Sequence, residues 1–242
     1  MNKIIAKEQL SATVVKLVVE APMIAKSYQA GQFAIVRYGE KGERIPLTIC
    51  ESDVKNGTIS LVVASAGKTT STISSLNAGE FLTDVTGPLG QAANIPTSGT
   101  VLCYGSDSNI AYIYPIIKAS KAAGCKVIAI LDGDVILEKE IKECCDIVAN
   151  KADLNNILEN GGIDRCFVSA SATIMKEISE CTTAKGIPTE VALYAIMVDG
   201  TGMCGACRLT IGGKTRFVCV EGPLFDATQV NFDEVTTRLK SY

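Results

Sequence analysis

The stretch "TVLCYGSDSNIAYIYPIIKASKAAGCKVIAIL", Thr100–Leu131, joins a short apolar run, a longer helical run and a second short apolar run. The runs TVLCY and KVIAIL have the length of buried strands. The run between them ends at Gly124, and glycine is typical of helix ends. A strand, a helix and a strand in this order predict two parallel strands joined by a crossover helix.

The same alternation continues toward the C-terminus. We predict strands at DIVAN, RCFVS and PTEVAL, and helices at LEKEIKECC, DLNNILENG and ATIMKEISECTTAKG. Alternating strands and helices indicate a parallel sheet covered by helices. The sequence therefore predicts an α/β domain over residues 98–195.

Upstream of a linker, NIPTSGT (Asn94–Thr100), the pattern changes to short β-rich runs. These runs are TVVKLVVEA, GQFAIVRY, IPLTICES, GTISLVVASA and EFLTDVTGPLG. Turn signals such as Asn56-Gly57 and Gly87-Pro88 separate them, and one helix is predicted at KTTSTISSLN. Several short strands at this spacing predict an antiparallel β-barrel or sandwich over residues 1–95.

The composition excludes several kinds of chemistry. The 242 residues include no histidine, so a Ser-His-Asp or Cys-His nucleophile, a mixed cysteine–histidine zinc finger, a Rieske centre and a His-ligated haem are all excluded. The net charge of −3 argues against a nucleic-acid partner. No apolar run reaches the ~20 residues of a membrane span, and no signal-peptide core is evident, so we expect a cytoplasmic protein without membrane insertion. Ten cysteines in such a chain are expected to be reduced thiols, some of them metal ligands.

The third predicted segment, residues 196–242, loses the alternation and carries a cysteine loop. In "MVDGTGMCGACRLT", Asp199, Cys204 and Cys207 are spaced as the C-x4-C-x2-C of a plant-type [2Fe-2S] ferredoxin, with aspartate at the first position. Cys219 comes after eleven intervening residues and is the candidate for the last ligand position. This pattern predicts an iron–sulfur site whose ligands are Asp199, Cys204, Cys207 and Cys219.

Glycines at 200, 202 and 205 suit such a loop, because residues without Cβ let main-chain N–H groups approach the sulfurs. Two alternatives stay open. A four-cysteine zinc site normally has two C-x2-C pairs, and this chain has one. The cysteines would otherwise be small packed residues, and Asp199 a solvated aspartate in an Asp-Gly turn.

The segment "IMVDGTGMCGACRLTIGGKTRFVCVEGPLFDATQVNFDE" closely resembles the C-terminal cluster segment of a family of flavin and iron–sulfur electron-transfer subunits. The family includes the electron-transfer subunit of dihydroorotate dehydrogenase and the small subunit of NADH-dependent reduced ferredoxin:NADP oxidoreductase, also known as a sulfide dehydrogenase subunit. The stretches GERIPLTI and LTDVTGPLG look like this family too. The resemblance implies a ferredoxin–NADP reductase-like fold: a flavin-binding β-barrel, a Rossmann-like nucleotide-binding α/β domain and a C-terminal [2Fe-2S] subdomain.

The resemblance also implies an FAD site. "RIPLT" is similar to the family's Arg-x-Pro-Leu-Ser/Thr motif, which places an arginine fork on the pyrophosphate and a threonine hydroxyl near the reactive flavin nitrogen. "GKTT" is similar to a second motif, in which a helix start and a lysine face phosphate oxygens. Ordinary capping of a helix by Thr69 or Thr70 is the alternative for this second motif. The implied FAD residues are Arg44, Ile45, Pro46, Leu47, Thr48, Gly67, Lys68, Thr69 and Thr70.

The α/β domain departs from the family pattern. Where the family has a glycine-rich turn after the first strand, this chain has "GSDSN", in which Gly105 alone remains and Asp107 places a carboxylate near the helix start. The turn "SASAT" lacks the family's Gly-Pro, and the segment between Gly124 and Gly161 is short. We therefore predict a degenerate domain in which NAD(P)H binding is weak or lost.

These features predict an oxidoreductase subunit that carries FAD and one [2Fe-2S] cluster and relays electrons to or from a larger flavin/iron–sulfur subunit in a hetero-oligomer. The chain has no evident catalytic carboxylate pair, so a partner is expected to hold the substrate. Two alternatives remain: a functional NAD(P)H-oxidising reductase subunit, and a cofactor-free scaffold subunit.

Overall fold

The computed structural model of the protein describes residues 1–240, with two large sheets and one small hairpin. Ser241 and Tyr242, the last two residues of the third predicted segment, lie outside the described residues. Within the described chain, no helix combines the length and the apolar character needed to cross a bilayer.

The first half of the chain forms a seven-stranded antiparallel sheet. Its elements are β1 (Asn2–Gln9), β2 (Val14–Glu20), α1 (Pro22–Ser27), β3 (Phe33–Arg37), β4 (Arg44–Asp53), β5 (Thr58–Ala64), α2 (Lys68–Ser75), β6 (Phe81–Leu82) and β7 (Asp84–Leu89). The strand order is β6-β1-β2-β5-β4-β3-β7. Only Thr83 separates β6 at one edge from β7 at the other, so the two edges meet and the sheet is a nearly closed barrel.

The barrel strands alternate between a buried inner face and a more exposed outer face. Along β2, Leu17 and Val19 are fully buried, whereas Lys16 and Val18 are partly exposed. This two-residue period is the pattern that predicts a strand with one face on the core. The predicted barrel is thus confirmed, although the sequence reading contained neither β1 nor α1.

The second half contains a parallel sheet with helices on its faces. Its elements are β8 (Thr100–Ser106), α3 (Ile110–Ala122), β9 (Lys126–Asp132), α4 (Glu138–Cys144), β10 (Ile147–Asn150), α5 (Leu154–Glu159), β11 (Arg165–Ser169), α6 (Ala172–Ala184) and β12 (Thr189–Ala192). The parallel strands are ordered β10-β9-β8-β11-β12. The order reverses between β8 and β11, and in such sheets ligands bind at this switch point, beyond the carboxyl ends of the strands.

Helix α3 joins the barrel to this sheet. Tyr112 donates a hydrogen bond from Oη to the carbonyl oxygen of Gly31 at 2.8 Å, and Tyr114 donates one to Glu51 at 3.1 Å. Because α3 is covered from both sides, apolar residues occur all around it rather than on one stripe.

The remaining elements are β13 (Arg208–Ile211), β14 (Lys214–Phe217), α7 (Val218–Glu221), β15 (Leu224–Asp226) and α8 (Phe232–Lys240). Strands β13 and β14 form the small hairpin, and β15 pairs antiparallel with β12 at the edge of the second sheet. The C-terminal segment is therefore tied to the α/β domain by main-chain hydrogen bonds. The domain limits at 95, 98 and 195 stay predictions about separate folding units.

Candidate functional site

The loop before β13 is folded around the carboxylate of Asp199. One carboxylate oxygen accepts the N–H of Thr201 at 2.9 Å, and the other accepts the N–H of Cys204 at 2.7 Å. The hydrogen bond from Thr201 and the one from Cys204 both lower the pKa of Asp199 from its ordinary value, so the side chain is an anion at neutral pH. The first two predicted ligands are joined in this way through the loop backbone.

The structure also brings Cys207 and Cys219 together. Both are 1% exposed, and the N–H of Cys219 donates to the sulfur of Cys207 at 3.4 Å. Burial, followed by the neighbouring Cys207 thiol, raises the pKa of the Cys219 thiol to about 12, against a hydrogen bond with the backbone of Gly202 that lowers it. An N–H aimed at a cysteine sulfur is the kind of contact that supports thiolate ligands.

The pair Asp199 and Cys204 and the pair Cys207 and Cys219 are close in the chain, but the four side chains do not converge on one point. Among residues 1–240, no three acidic or cysteine side chains are grouped as a metal site. Cys204 is exposed, whereas Cys207 and Cys219 are buried. Three cysteines, one anionic carboxylate and nearby N–H donors nevertheless fit the donor set of an iron–sulfur group.

A narrow, mostly apolar cavity lies where the barrel, the α/β domain and the C-terminal segment meet, with a volume of about 40 Å³. It is lined by Phe33, Pro46, Leu47, Thr48, Tyr112, Leu193, Tyr194, Ala195, Met197 and Pro223. Pro46, Leu47 and Thr48 of the RIPLT motif therefore form part of its wall. Ile45 does not line it and packs instead against the barrel core.

Arg44, the first residue of that motif, contacts the cluster segment directly. Its Nε donates to the carbonyl oxygen of Val198 at 2.8 Å. A guanidinium has five N–H donors, so the terminal nitrogens retain donors suited to a pyrophosphate. Arg44 is therefore bound to the C-terminal segment and is not a freely solvated side chain.

The second motif begins α2 and faces a separate cavity of about 310 Å³, which includes Lys41, Glu43, Lys68 and Thr69 in its lining. The hydroxyl of Thr69 donates a short hydrogen bond to Glu43, the residue before Arg44, so the two motifs adjoin. A Cβ on Gly67 would meet no atom within 4 Å, which leaves the helix start open to a ligand.

Thr70 differs from its neighbours in this motif. Its Oγ1 accepts the N–H groups of Ala66 at 3.0 Å and Gly67 at 2.9 Å. Thr70 therefore has the capping role that the sequence left open, and Lys68 and Thr69 are the side chains available to phosphate oxygens.

Several cavity residues are absent from the sequence prediction. Phe33, Tyr112 and Tyr194 are single aromatic residues inside apolar runs, and such residues are usually core. Met197 was closer to detection, because it lies two residues before Asp199 and so belongs to the stretch that leads into the cysteine loop.

Comparison with known proteins gives this arrangement a family. Residues 195–231 match the model of the iron–sulfur cluster binding domain of dihydroorotate dehydrogenase B. The whole chain is 35% identical to the "Dihydroorotate dehydrogenase B (NAD(+)), electron transfer subunit homolog" of Thermotoga maritima, and the match covers 92% of that protein. The chain belongs to this family of electron-transfer subunits.

The structural comparison agrees. A chain of the NADH-dependent reduced ferredoxin-NADP oxidoreductase structure superposes with a TM-score of 0.95 at 35% identity, covering 100% of this chain and 94% of that one. A flavohemoglobin from Malassezia yamatoensis, at 14% identity, superposes with a TM-score of 0.63 over 78% of this chain and 59% of its own. The fold is therefore ferredoxin–NADP reductase-like with a C-terminal iron–sulfur domain, and the protein is an electron-transfer subunit of an oxidoreductase.

At the switch point of its second sheet, this family member has carboxylates. Asp107 lies just after β8, and its Oδ1 accepts the N–H of Asp134 at 2.9 Å. A Cβ on Gly133 would lie 2.2 Å from the same oxygen, so the carboxylate rests directly on that turn. Tyr104 donates to Asp132 at 2.8 Å in the same crevice.

Gly105, the one glycine in the stretch GSDSN at the end of β8, has a packing role. A Cβ on Gly105 would lie 2.6 Å from Cδ1 of Ile113, so Gly105 lets α3 approach β8. In the second altered loop, the hydroxyls of Ser169 and Tyr194 share a short hydrogen bond. Residues of both altered loops, 105–109 and 169–173, therefore make contacts within the chain.

Proposed function

We propose that this chain carries FAD and one [2Fe-2S] cluster and relays electrons between them and a larger flavin/iron–sulfur oxidoreductase subunit. The observation that carries the proposal is a run of three consecutive residues. Met197 lines the cavity beside Thr48, the carbonyl of Val198 accepts a hydrogen bond from Arg44, and Asp199 starts the cluster loop. FAD and a cluster held at these sites would therefore be neighbours, joined through residues 197–199.

The residues toward FAD divide into three roles. Arg44 and Lys68 supply positive charge and N–H donors for the pyrophosphate, together with the first-turn N–H groups of α2 after Gly67. Thr48 lines the apolar cavity beside Pro46 and would present its hydroxyl to the flavin, and the surrounding apolar side chains would exclude water. When bound, a flavin accepts electrons in pairs and releases them singly, whereas an iron–sulfur cluster takes one at a time.

The cluster ligands in this proposal are Asp199, Cys204, Cys207 and Cys219. A carboxylate in place of a fourth thiolate changes the charge and the hydrogen bonding at the cluster, and these properties set its potential. The carboxylate of Asp199 is already ionised and ordered by two main-chain N–H groups.

We further propose that NAD(P)H binds weakly or not at all. A dinucleotide would bring its phosphates to the switch point, where Asp107, Asp132 and Asp134 place negative charge. The second candidate is a functional NAD(P)H-oxidising reductase subunit, which is favoured by the 35% identity to a chain of an NADH-dependent enzyme.

The partner is proposed to dock beside the cluster loop. Met203 is 89% exposed, and Val198 and Val220 nearby are 47% and 38% exposed. Exposed apolar side chains next to a redox site suit a protein–protein contact. Because the homologues are named as subunits, we expect a hetero-oligomer.

Anaerobic purification tests the proposal. We expect about one FAD and two iron atoms per chain, and an electron paramagnetic resonance signal of a [2Fe-2S] type after reduction with dithionite. Material with zinc, or with neither iron nor flavin after reconstitution, would contradict it, and the second result would favour a scaffold subunit.

Addition of NADH or NADPH to the same material separates the first candidate from the second. A flavin band that dithionite bleaches and neither nucleotide bleaches supports weak or lost NAD(P)H binding. Rapid bleaching by either nucleotide supports the functional reductase.

A further inference from the structure

The barrel and the cluster segment meet at a seam between Gly90-Gln91 and the turn Val220–Pro223, here named the Gly90–Gln91 seam. The main-chain N–H of Gln91 donates to the carbonyl oxygen of Gly222 at 2.7 Å. The side-chain Nε2 of Gln91 donates to the carbonyl oxygen of Val220, also at 2.7 Å. Gln91 thus binds the cluster segment at two points, and Val220 directly follows the candidate ligand Cys219.

The neighbouring glycine lets the two backbones approach closely. Gly90 has φ of +76°, a left-handed conformation that favours glycine. A Cβ there would lie 2.9 Å from the oxygen of Gly222, 2.9 Å from Cε1 of Phe33 and 3.0 Å from Cδ of Pro223. Any larger residue at position 90 would displace the turn at residues 220–223, the ring of Phe33 or both.

The inner side of the seam borders the narrow apolar cavity beside Thr48, because Phe33 and Pro223 both line that cavity. On the barrel side, Gln32 donates from Nε2 to the carbonyl of Gly90 at 3.0 Å and accepts the N–H of Gln29 at 2.9 Å. The seam therefore connects one wall of the cavity to the turn that follows Cys219, through a short chain of hydrogen bonds.

A second contact point supports the same arrangement. A Cβ on Gly200 would lie 2.6 Å from Cδ1 of Leu89 and 2.8 Å from Cδ1 of Ile35. The start of the cluster loop therefore packs on β3 and β7, next to the seam. The C-terminal segment therefore contacts the barrel at two points, one before Cys204 and one after Cys219.

We propose that the Gly90–Gln91 seam is a positioning element that sets the spacing between the flavin site and the cluster turn. The inference rests on the proposed function, in which electrons pass between these two sites. Neither Gly90 nor Gln91 touches a reacting atom. Each acts through the residues it holds, Gln91 on the turn after Cys219 and Gly90 on Phe33 and Pro223.

The first test removes the side-chain hydrogen bond with Gln91→Ala. The matched control is Gln9→Ala, since Gln9 makes the same kind of bond, from Nε2 to the carbonyl of Ser11 at 2.6 Å, in a barrel turn that does not touch the cluster segment. Hydrogen-exchange mass spectrometry should show amides 219–222 exchanging about fivefold faster in Gln91→Ala, the ratio expected for the loss of one hydrogen bond. Gln9→Ala should leave them unchanged.

The second test fills the close approach with Gly90→Ala. Gly79→Ala is its control, because Gly79 has φ of +95° but a Cβ there would meet no atom within 4 Å. With anaerobic holoprotein, we expect Gly90→Ala to slow reduction of the cluster by photoreduced flavin at least severalfold and to shift the flavin absorption band. Iron and flavin content should stay at the wild-type level, and Gly79→Ala should match wild type in both readouts.

The outcomes separate this inference from the proposed function. Wild-type protein that carries both cofactors, together with Gln91→Ala and Gly90→Ala proteins that match it in exchange, spectrum and transfer rate, overturns the positioning role alone. Wild-type protein that binds neither cofactor overturns the proposed function, and the exchange experiment then still reports whether the seam holds the turn.

Discussion

The Nε atom of Arg44 donates a hydrogen bond to the main-chain carbonyl oxygen of Val198 at 2.8 Å, across 154 positions of sequence. One arginine thereby joins the RIPLT motif to the residue before Asp199. Because its remaining N–H donors suit a pyrophosphate, FAD binding and seating of the cluster loop should be linked, and each should stabilise the other.

Replacement of this arginine tests the linkage. Arg44→Ala removes a charged donor, and such hydrogen bonds contribute about 1.5–3 kcal/mol, so FAD affinity should fall by roughly tenfold to a hundredfold. Amides 197–201 should also exchange faster, in protein with and without FAD. Arg44→Lys keeps the charge but loses the planar fork, and should fall between wild type and Arg44→Ala.

Arg37→Lys is the control for this series. Arg37 lies opposite Arg44 in the β3–β4 register, but its guanidinium binds Asp84 rather than the cluster segment. We expect its FAD affinity and the exchange of 197–201 to match wild type. The linkage is wrong if Arg44→Ala weakens FAD while the exchange of 197–201 does not change.

The carboxylate of Asp199 should be needed both for the shape of the loop and for iron. Asp199→Ala removes the acceptor of the Thr201 and Cys204 N–H groups. We expect exchange of these two amides to accelerate about fivefold and iron content after reconstitution to fall by half or more. Asp199→Cys restores a thiolate at the first position of C-x4-C-x2-C and should retain iron, with an altered paramagnetic resonance spectrum.

The control for Asp199→Ala is a turn aspartate of the same kind. Asp53 accepts the N–H of Asn56 at 2.9 Å in the β4–β5 turn, and hydrogen bonding to that N–H lowers its pKa in the same way. Asp53→Ala should leave the iron content unchanged. Equal iron in wild type and Asp199→Ala would remove Asp199 from the ligand set.

The carboxylate of Asp107 should be a main obstacle to a dinucleotide. Asp107→Asn keeps an oxygen for the Asp134 N–H, tolerates the observed φ of +51° and removes one negative charge. Removal of a charge close to a phosphate should strengthen NADH binding on the order of tenfold, measured by the rate of flavin bleaching against NADH concentration. Asp107→Gly should do at least as well.

Asp164→Asn provides the charge-matched control. Asp164 accepts the N–H of Thr100 at 2.7 Å, at the amino end of β8 and so at the opposite edge of the sheet. It should not change NADH binding. If wild type already binds NADH tightly, or if Asp107→Asn and Asp164→Asn behave alike, the repulsion argument fails.

Strong periodic patterns made most of the fold predictable. The buried run TVLCY, the helix that ends near Gly124 and the alternating strand β2 are all found close to their predicted places. Strand β1 was missed because Ile4 is its one fully buried residue, so its sequence shows no clear alternation. Helix α1 was missed because its six residues, starting at Pro22, are too short to show a helical period.

The site was predictable only where its residues form a motif with a characteristic local spacing. The cysteine loop and RIPLT are such motifs. The bond from Arg44 to Val198 and the seam at Gln91 depend on how distant segments pack, and a glutamine or a valine carbonyl has no distinctive sequence signal. Tyr194 lines the cavity from an apolar run that is equally typical of core.

Buried thiols outside the cluster loop should make the protein less stable at high pH. Burial, followed by the charge of Glu51, raises the pKa of Cys50 to about 12. Burial likewise raises the pKa of Cys166 to about 12. These thiols stay protonated in the folded chain while they ionise near 9 in the unfolded chain, so their contribution is complete below pH 9 and is lost as the pH rises toward 12.

Each of the two thiols should lower the free energy of unfolding by about 1.4 kcal/mol per pH unit above pH 9. Urea unfolding of reduced protein at pH 8, 9 and 10 measures this slope. The double variant Cys50→Ala/Cys166→Ala leaves cavities, which lower its stability independently of pH, so the slopes are compared rather than the absolute values. The variant should lose stability less steeply than wild type between pH 9 and 10, and equal slopes would show that neither thiol is held protonated by the fold.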